Sequence, residues 1–207
     1  DLIALQEINT GSDGKQKVVE LTTALNKIKK VYFYSVSDAT NSDNPHENER
    51  YAYIWNGEKV KQQRTFHLDK NFAASIVREP YMGYFAVGKH TFTVVNFHAV
   101  PKKKQPQQEI AKFKQFGRYY QKQNLVFLGD LNTPPTDEVF NPLKQKGYDY
   151  YPKNQATTLR QDYKPNDQLA NPYDHIWWPN NLGKIKKAEI IPFYKSFGSD
   201  MKAARKL

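Results

Sequence analysis

The feature of this sequence that most constrains its fold is a set of apolar, strand-like segments that each meet a polar side chain at one end. The runs LIALQ, TVVNF and LVFLG lead directly into Glu7, His98 and Asp130; Asn132 follows two residues later, and Asp174 precedes HIWW. Continuous apolar runs are typical of strands covered on both faces of a sheet. Because ligands of α/β sheets bind beside strand ends, we expect these side chains to face one mouth.

Helical and strand-like patterns alternate along the chain. Helical spacing predicts two apolar helix faces, one formed by Val18, Leu21, Leu25 and Ile28 and the other by Ile110, Phe113, Phe116 and Tyr120. Strands are predicted in VYFYSVS, RYAYIW, ASIVREPYMGYFAV, HTFTVVNFHAV, NLVFLGD, PYDHIWW and KAEIIPFY, with turns at the hairpin signal Asn56-Gly57 and near Gly88. Many strands with two or three helices predict an α/β sandwich in a single domain over residues 1–207.

Composition excludes several classes of protein. The sequence contains no cysteine, which rules out disulfides, thiolate nucleophiles and thiolate metal sites. No apolar stretch is long enough to cross a membrane, and the opening DLIALQEI lacks the pattern of a signal peptide. The net charge of +10 fits a polyanionic partner or, equally, a well-solvated surface.

The polar residues at the strand ends define a narrow chemistry. Carboxylate and amide oxygens favour a hard cation such as Mg²⁺, with Mn²⁺ or Ca²⁺ as alternatives. A nearby histidine exchanges protons with water or a leaving oxygen, so the set indicates metal-assisted hydrolysis of a phosphate ester. Each residue alone also has an ordinary structural interpretation as a turn or cap residue. His175, next to Asp174, should face the other side of its strand, and we interpret it as structural.

The segments LIALQEI, ERYAYIW, REP, VNFHAV, FLGDLN and PYDHI occur in an order that resembles the exonuclease–endonuclease–phosphatase superfamily, especially its deoxyribonuclease I-like branch. The resemblance runs from Leu2 to about Trp178. It implies a four-layered α/β sandwich of the deoxyribonuclease I-like type. The family opens on an earlier strand and ends on a strand with a Ser-Asp-His motif. Here the sequence starts at Asp1, and Ser199 and Asp200 are followed by Met201, so we expect the Ser-Asp-His motif just beyond Leu207. We therefore expect a domain incomplete at both termini that lacks its first and last strands.

The resemblance also implies roles for individual residues. Glu7 and Asp130 match metal-binding positions, and Asn132 matches the amide that binds the scissile phosphate beside Asp130. Glu49 matches the residue that orients and charges the catalytic histidine, His98.

Further roles concern the substrate. Arg78 matches an arginine that contacts substrate phosphate, and Asp174 an aspartate that pairs with a second histidine, which would lie beyond this chain. Tyr173 is expected at the substrate groove and Thr158 near the metal. Asn9 replaces a basic residue that contacts the minor groove in the pancreatic enzyme, so groove contacts are not carried over.

These roles predict a divalent-metal-dependent endonuclease that cleaves DNA, with RNA as a further substrate, and shows little sequence preference. Two alternatives stay open. One is a phosphodiesterase or phosphatase acting on sphingomyelin or inositol phosphates; the other is an inactive, basic nucleic-acid-binding module. We expect a monomer without stable membrane insertion, secreted or held in a bacterial cell envelope.

Overall fold

The computed structural model describes residues 1–29, 31–121, 123–160, 164 and 168–197. The strands are β1 (Leu2–Ile8), β2 (Tyr32–Val36), β3 (Arg50–Asn56), β4 (Lys61–Gln62), β5 (His67–Leu68), β6 (Tyr81–Val87), β7 (His90–Asn96), β8 (Leu125–Asp130), β9 (Tyr148–Tyr151) and β10 (Asp174–Pro179). The α-helices are α1 (Ser12–Ile28), α2 (Gln107–Ile110), α3 (Phe113–Tyr119) and α4 (Asn141–Gln145). Among the described helices, none is both long and apolar enough to cross a membrane.

The strands form two sheets. The smaller sheet has three antiparallel strands in the order β1-β3-β2. The larger has seven strands in the order β4-β6-β7-β8-β10-β9, with β5 also paired to β6. Strands β7 and β8 are parallel neighbours, and the crossover between them carries α2 and α3. A parallel pair requires such a long connection because the chain must return to the same end of the sheet.

The two sheets pack face to face between layers of helix. Strand β3 alternates its side chains, so that Ala52 and Ile54 pack with Val18 of α1 while Tyr53 faces the larger sheet. The Tyr53 ring stacks on Tyr81 at 5.1 Å between centroids, and its hydroxyl donates to the carbonyls of Tyr81 and Val94.

The far face of the larger sheet is covered by the remaining helices. Phe113 of α3 stacks on Phe127 of β8 with ring centroids 4.5 Å apart. The resulting order of helix, sheet, sheet and helix confirms the predicted four-layered α/β sandwich.

The two predicted helical faces are confirmed only in part. Helix α1 forms, but its buried residues are Gly14, Val18 and Thr22, whereas Leu21 is 43% exposed and Ile28 is 86% exposed. Thr22 tolerates burial because its hydroxyl donates to the Val18 carbonyl within the helix. The second face is buried as predicted, although the chain there is divided between α2 and α3.

Two strand predictions are wrong in their details. The Asn56-Gly57 turn does not close a hairpin, because β3 belongs to the smaller sheet and β4 to the larger one. The segment KAEIIPFY forms no strand; its backbone has no ladder partner among the described strands, and Ile191 is 79% exposed. The segment instead borders a cleft of about 810 Å³ beside β1 and β10.

Candidate active site

The topology brings the predicted site residues to one end of both sheets. Glu7, His98 and Asp130 lie at or just beyond the carboxyl ends of β1, β7 and β8. Strands β3, β6 and β10 run antiparallel to these neighbours, so their amino ends point the same way. Glu49 directly precedes β3, Arg78 lies three residues before β6, and Asp174 is the first residue of β10.

Glu7 is aimed by a β-bulge. Leu5 pairs with Ala52 and Ile8 pairs with Arg50, so Gln6 and Glu7 together stand opposite one residue of β3. Glu7 adopts a left-handed backbone conformation with a φ of 57°. Neighbouring residues of a regular strand face opposite sides, whereas a bulge redirects a side chain and often occurs beside an active site. Both residues therefore reach toward the larger sheet.

Gln6 joins the two sheets directly beneath the site. Its amide nitrogen donates to Asn96 Oδ1 at 2.8 Å and to the Phe97 carbonyl at 2.9 Å, while its oxygen accepts the Asp130 N–H at 3.0 Å. Gly129 leaves room for this contact, because an added Cβ would lie 1.9 Å from Gln6 Nε2. Its φ of 138° is also one that side-chain-bearing residues rarely adopt.

A buried ionic group orients the histidine. His98 Nδ1 lies 2.7 Å from Glu49 Oε2, and both side chains are less than 10% exposed. Since Glu49 is a carboxylate acceptor, Nδ1 carries the proton and Nε2 of the neutral ring is an acceptor. Nε2 lies 3.8 Å from Glu7 Oε1, which is largely exposed. Nε2 of His98 thus faces the mouth of the candidate site.

Arg78 is held inside the same group. Its Nη1 lies 3.3 Å from Glu49 Oε2, Nη2 donates to the Ala99 carbonyl at 2.9 Å and Nε donates to the His98 carbonyl. These contacts make Arg78 a counter-ion for Glu49 and a brace for the chain after β7. The contact with substrate phosphate that the sequence predicts would use the guanidinium N–H groups that do not take part in these three bonds.

Asp130 and Asn132 form a compact turn at the end of β8. Asp130 Oδ1 accepts the Asn132 N–H at 2.8 Å, Asn132 has a φ of 47°, and its Nδ2 donates to the Ala99 carbonyl at 3.0 Å. Burial, followed by the charge of Asp174 directly opposite in the ladder, raises the pKa of Asp130 to about 6. Asp130 is therefore harder to ionise than a free aspartate, and a nearby cation would favour its carboxylate form.

Three polar side chains converge where a divalent cation would fit. Glu7, His98 and Asp130 each offer a ligand atom, and these atoms lie within 4.8 Å of one another. Two carboxylates suit Mg²⁺ or Mn²⁺, whose remaining positions are commonly filled by water and substrate phosphate. The raised pKa of Asp130 agrees with a site built to receive positive charge.

The other predicted residues lie around this cluster. Tyr173 is buried, and its carbonyl accepts the Leu131 N–H, so a contact with substrate stays a prediction. Thr157, rather than Thr158, bonds Asp174, because Thr157 Oγ1 accepts the Asp174 N–H at 2.8 Å. His175 faces away from Asp174, as predicted, and packs edge-on against Phe140. Ser199 and Asp200 lie outside the described residues.

Sequence reasoning missed the residues that support the site. Gln6 and Asn96 interrupt apolar strands, and a polar residue in such a run signals a buried hydrogen bond. Glu109 carried no comparable signal, because glutamate in a helix is normally exposed. It is 4% exposed, and its carboxylate accepts the N–H groups of Val77 and Val100, one on each side of the Arg78–His98 pair.

Comparison with known proteins agrees with this architecture. No protein-family model matches the chain. Over 156 residues the chain is 26% identical to the endonuclease/exonuclease/phosphatase family domain-containing protein 1 of Xenopus laevis. The match covers 68% of this chain but 28% of that protein, so the chain spans less than a third of its curated relative.

Solved structures share the fold at low sequence identity. The human Nocturnin catalytic domain with bound sulfate superposes with a TM-score of 0.57 at 15% identity, covering 86% of this chain and 68% of that one. D. rerio TDP2 with a single-strand DNA product superposes with a TM-score of 0.55 at 14% identity, covering 86% of this chain and 70% of that one. A Bacteroides thetaiotaomicron mannosyl-6-phosphatase gives 0.53 at 15% identity, also covering 86% and 70%. These likenesses confirm the predicted fold class.

Proposed function

We propose that this chain is a divalent-metal-dependent hydrolase of the endonuclease/exonuclease/phosphatase superfamily and that it cleaves DNA phosphodiester bonds with little sequence preference. The observation that carries the proposal is the cluster of Glu7, His98 and Asp130 at one mouth, with His98 held by Glu49 at 2.7 Å. The TDP2 structure with a DNA product and the net charge of +10 favour nucleic acid as the substrate.

The histidine supplies the base in this mechanism. Because Nδ1 of His98 donates to Glu49, Nε2 is free to accept a proton from an attacking water. Glu49 then faces the positive charge that develops on the imidazole ring, and Arg78 Nη1 lies 3.3 Å from the same carboxylate. Water adds its oxygen to phosphorus, the bond to one sugar oxygen breaks, and that oxygen takes up a proton. One product carries the phosphate and the other a hydroxyl group.

The carboxylates and the amide position the phosphate. Glu7 and Asp130 would hold the divalent cation, which supplies positive charge against the phosphate oxygens when bound. The Asn132 amide has one N–H bonded to the Ala99 carbonyl, which leaves the other to donate to a phosphate oxygen. Asp174 stands opposite Asp130 and adds negative charge, which strengthens the demand for a cation.

Plasmid nicking tests the proposal. We expect nicking with Mg²⁺, none with EDTA, and loss of nicking in His98→Ala. His90→Ala is the matched control, because His90 is an exposed histidine at the opposite end of the same strand. Wild-type nicking by His98→Ala, or nicking that survives EDTA, would contradict the site assignment.

Other substrates separate the alternatives. Release of phosphate from inositol or sugar phosphates, or cleavage of sphingomyelin, without DNA nicking would make the chain a phosphatase or phosphodiesterase of the same superfamily. DNA binding without hydrolysis of any of these substrates would favour the inactive binding module. A monomeric state and a secreted or envelope location remain part of the proposal and are tested by light scattering and by cell fractionation.

A further inference from the structure

A lysine-rich turn follows the catalytic histidine. Lys102–Lys104 form one turn of 3-10 helix, which we call the cationic turn, between Pro101 and Pro106. Two hydrogen bonds close it, from the Lys104 N–H to the Pro101 carbonyl and from the Gln105 N–H to the Lys102 carbonyl. Gln105 ends the turn in a left-handed conformation with a φ of 59°. The flanking prolines and these bonds restrict the backbone, so little entropy remains to be lost on binding.

The residues that precede the cationic turn are hydrogen-bonded to the candidate site. Ala99 donates its N–H to the Asp130 carbonyl at 2.9 Å, and its own carbonyl accepts from Arg78 and Asn132. The next residue, Val100, donates to Glu109 at 2.8 Å. Lys102 follows two residues later, so extended chain puts it at most roughly 10 Å beyond Ala99.

A second contact fixes the far side of the turn. Lys104 forms an ion pair with Glu47, which lies two residues before Glu49. The turn therefore joins the segments that carry His98 and Glu49, and it lies on the histidine side of the mouth.

The other two lysines have no counter-ion. Lys102 and Lys103 are exposed, and no carboxylate of the described residues forms an ion pair with either. The two acids on adjoining segments are already engaged: Glu47 pairs with Lys104, and both oxygens of Glu109 accept backbone N–H groups. These two ammonium groups therefore carry positive charge that no nearby carboxylate in the described part of the chain neutralises. Such charge beside the proposed phosphate site attracts polyanions.

We propose that Lys102 and Lys103 bind phosphates that flank the scissile phosphate, so that the substrate is a nucleic-acid strand rather than a small phosphate ester. This inference rests on the proposed function. Phosphates of one strand recur about every 3.4 Å along a duplex axis, so a reach of roughly 10 Å spans about three nucleotides. A single diester has no flanking phosphate for Lys102 and Lys103 to bind.

The test compares a long and a short substrate. The variant is Lys102→Gln/Lys103→Gln, and the matched control is Lys15→Gln/Lys27→Gln, two exposed lysines of α1 on the outer layer. The substrates are a single-stranded oligonucleotide of about 20 nucleotides and bis(p-nitrophenyl) phosphate, which has one diester. We expect kcat/KM on the oligonucleotide to fall about 10-fold in the variant, with no change on the small diester. The control should match the wild type on both.

Salt dependence provides an independent readout. Each phosphate contact to a single strand contributes about 0.7 to the slope of log affinity against log salt. Loss of two contacts should therefore reduce this slope by about 1.4, measured by fluorescence anisotropy with the labelled oligonucleotide in EDTA. This measurement needs no turnover, so it tests the turn even if both substrates prove uncleaved and the proposed function fails.

Three outcomes would overturn the inference. The first is equal loss of kcat/KM on both substrates, and the second is an unchanged salt slope in the variant. The third is a variant that binds the oligonucleotide normally but loses binding to phosphatidylserine vesicles, which would assign the turn to a membrane surface.

Discussion

The side-chain oxygen of Gln6 accepts the backbone N–H of Asp130 at 3.0 Å, which links the smaller sheet to the proposed metal ligand of the larger one. The same side chain donates to Asn96 and to the Phe97 carbonyl, immediately before His98. One amide thus spans the strands that carry Glu7, His98 and Asp130. We therefore expect the relative positions of these three groups to depend on it.

Gln6→Leu should damage both stability and the metal site. The substitution leaves partly buried groups of Asn96 and Asp130 without partners, and each such loss costs about 1–3 kcal/mol. We expect the free energy of unfolding to fall by about 2–4 kcal/mol and Mg²⁺ affinity to fall at least 10-fold. Urea denaturation and calorimetric titration measure the two effects. Gln16→Leu, on the exposed side of α1, should change stability by less than about 0.5 kcal/mol; a similar effect of both variants would refute the linking role.

Gly129→Ala should be among the most destabilising single substitutions in the chain. The added Cβ would lie 1.9 Å from Gln6 Nε2 and 2.1 Å from the Phe97 carbonyl oxygen, at a backbone φ of 138°. We expect a loss of at least about 3 kcal/mol in thermal or urea unfolding. Gly117→Ala in α3 meets only Lys146 Nζ at 4.0 Å and should stabilise by up to about 1 kcal/mol. Comparable stability of the two variants would show that the close approach is not required.

Glu49→Gln should reduce turnover more than substrate binding. The amide keeps the size of the side chain but removes the negative charge that faces His98 Nδ1 at 2.7 Å. We expect kcat to fall about 100-fold or more, with KM nearly unchanged. Because Arg78 also loses its anionic partner, assays belong at a temperature at which circular dichroism shows the variant to be folded. Glu58→Gln, in the exposed pair with Lys29, is the control, and a full-rate Glu49→Gln enzyme would exclude the orienting role.

Asp130 should make the metal-free protein less stable as the pH rises. Burial raises the pKa of Asp130 from 3.8 to about 6, so the folded state binds this proton more tightly than the unfolded state. Its contribution to the free energy of unfolding is therefore highest below about pH 4 and declines toward pH 6. Relative to wild type in EDTA, Asp130→Asn should gain up to about 3 kcal/mol across this interval. A constant difference from pH 4 to 8 would contradict the raised pKa, and added Mg²⁺ should favour the wild type.

His175 should have the opposite dependence. Burial lowers its pKa from 6.5 to about 4, so the unfolded state binds the proton more tightly. Its contribution is fully present above about pH 6.5 and is lost as the pH falls toward 4, by roughly 3 kcal/mol. His175→Gln retains a donor for the Thr133 carbonyl, which lies 3.0 Å from Nε2, and should remove this acid sensitivity. The exposed His46→Gln should leave it intact; urea curves at pH 7 and 4.5 distinguish them.

The sequence of a single segment is sufficient to predict which polar residues lie at the end of a strand. The end of the apolar run LVFLG predicts Asp130 and Asn132 as polar groups at a strand end; Asp130 is the last residue of β8, and Asn132 follows two residues later. The helix over α1 was also predicted, but its inward face was not. Leucine and isoleucine at helical spacing indicated a stripe that included Leu21 and Ile28, whereas contact with β3 selected Gly14, Val18 and Thr22. The sheet, and not the helix itself, decided which face was buried.

The sequence by itself determined the kinds of groups at the strand ends, because a polar side chain after an apolar run is visible along the chain. Only the tertiary structure determined the distances and hydrogen bonds between those groups. The bulge at Glu7 arises in the pairing of β1 with β3, and the Gln6 amide bonds a residue 124 positions away. The burial of Arg78 and Glu109 likewise follows from contacts between segments that no local pattern records. The physical reason is that burial and hydrogen-bond partners are properties of the packed sheets, whereas periodicity reports only the preferences of one segment.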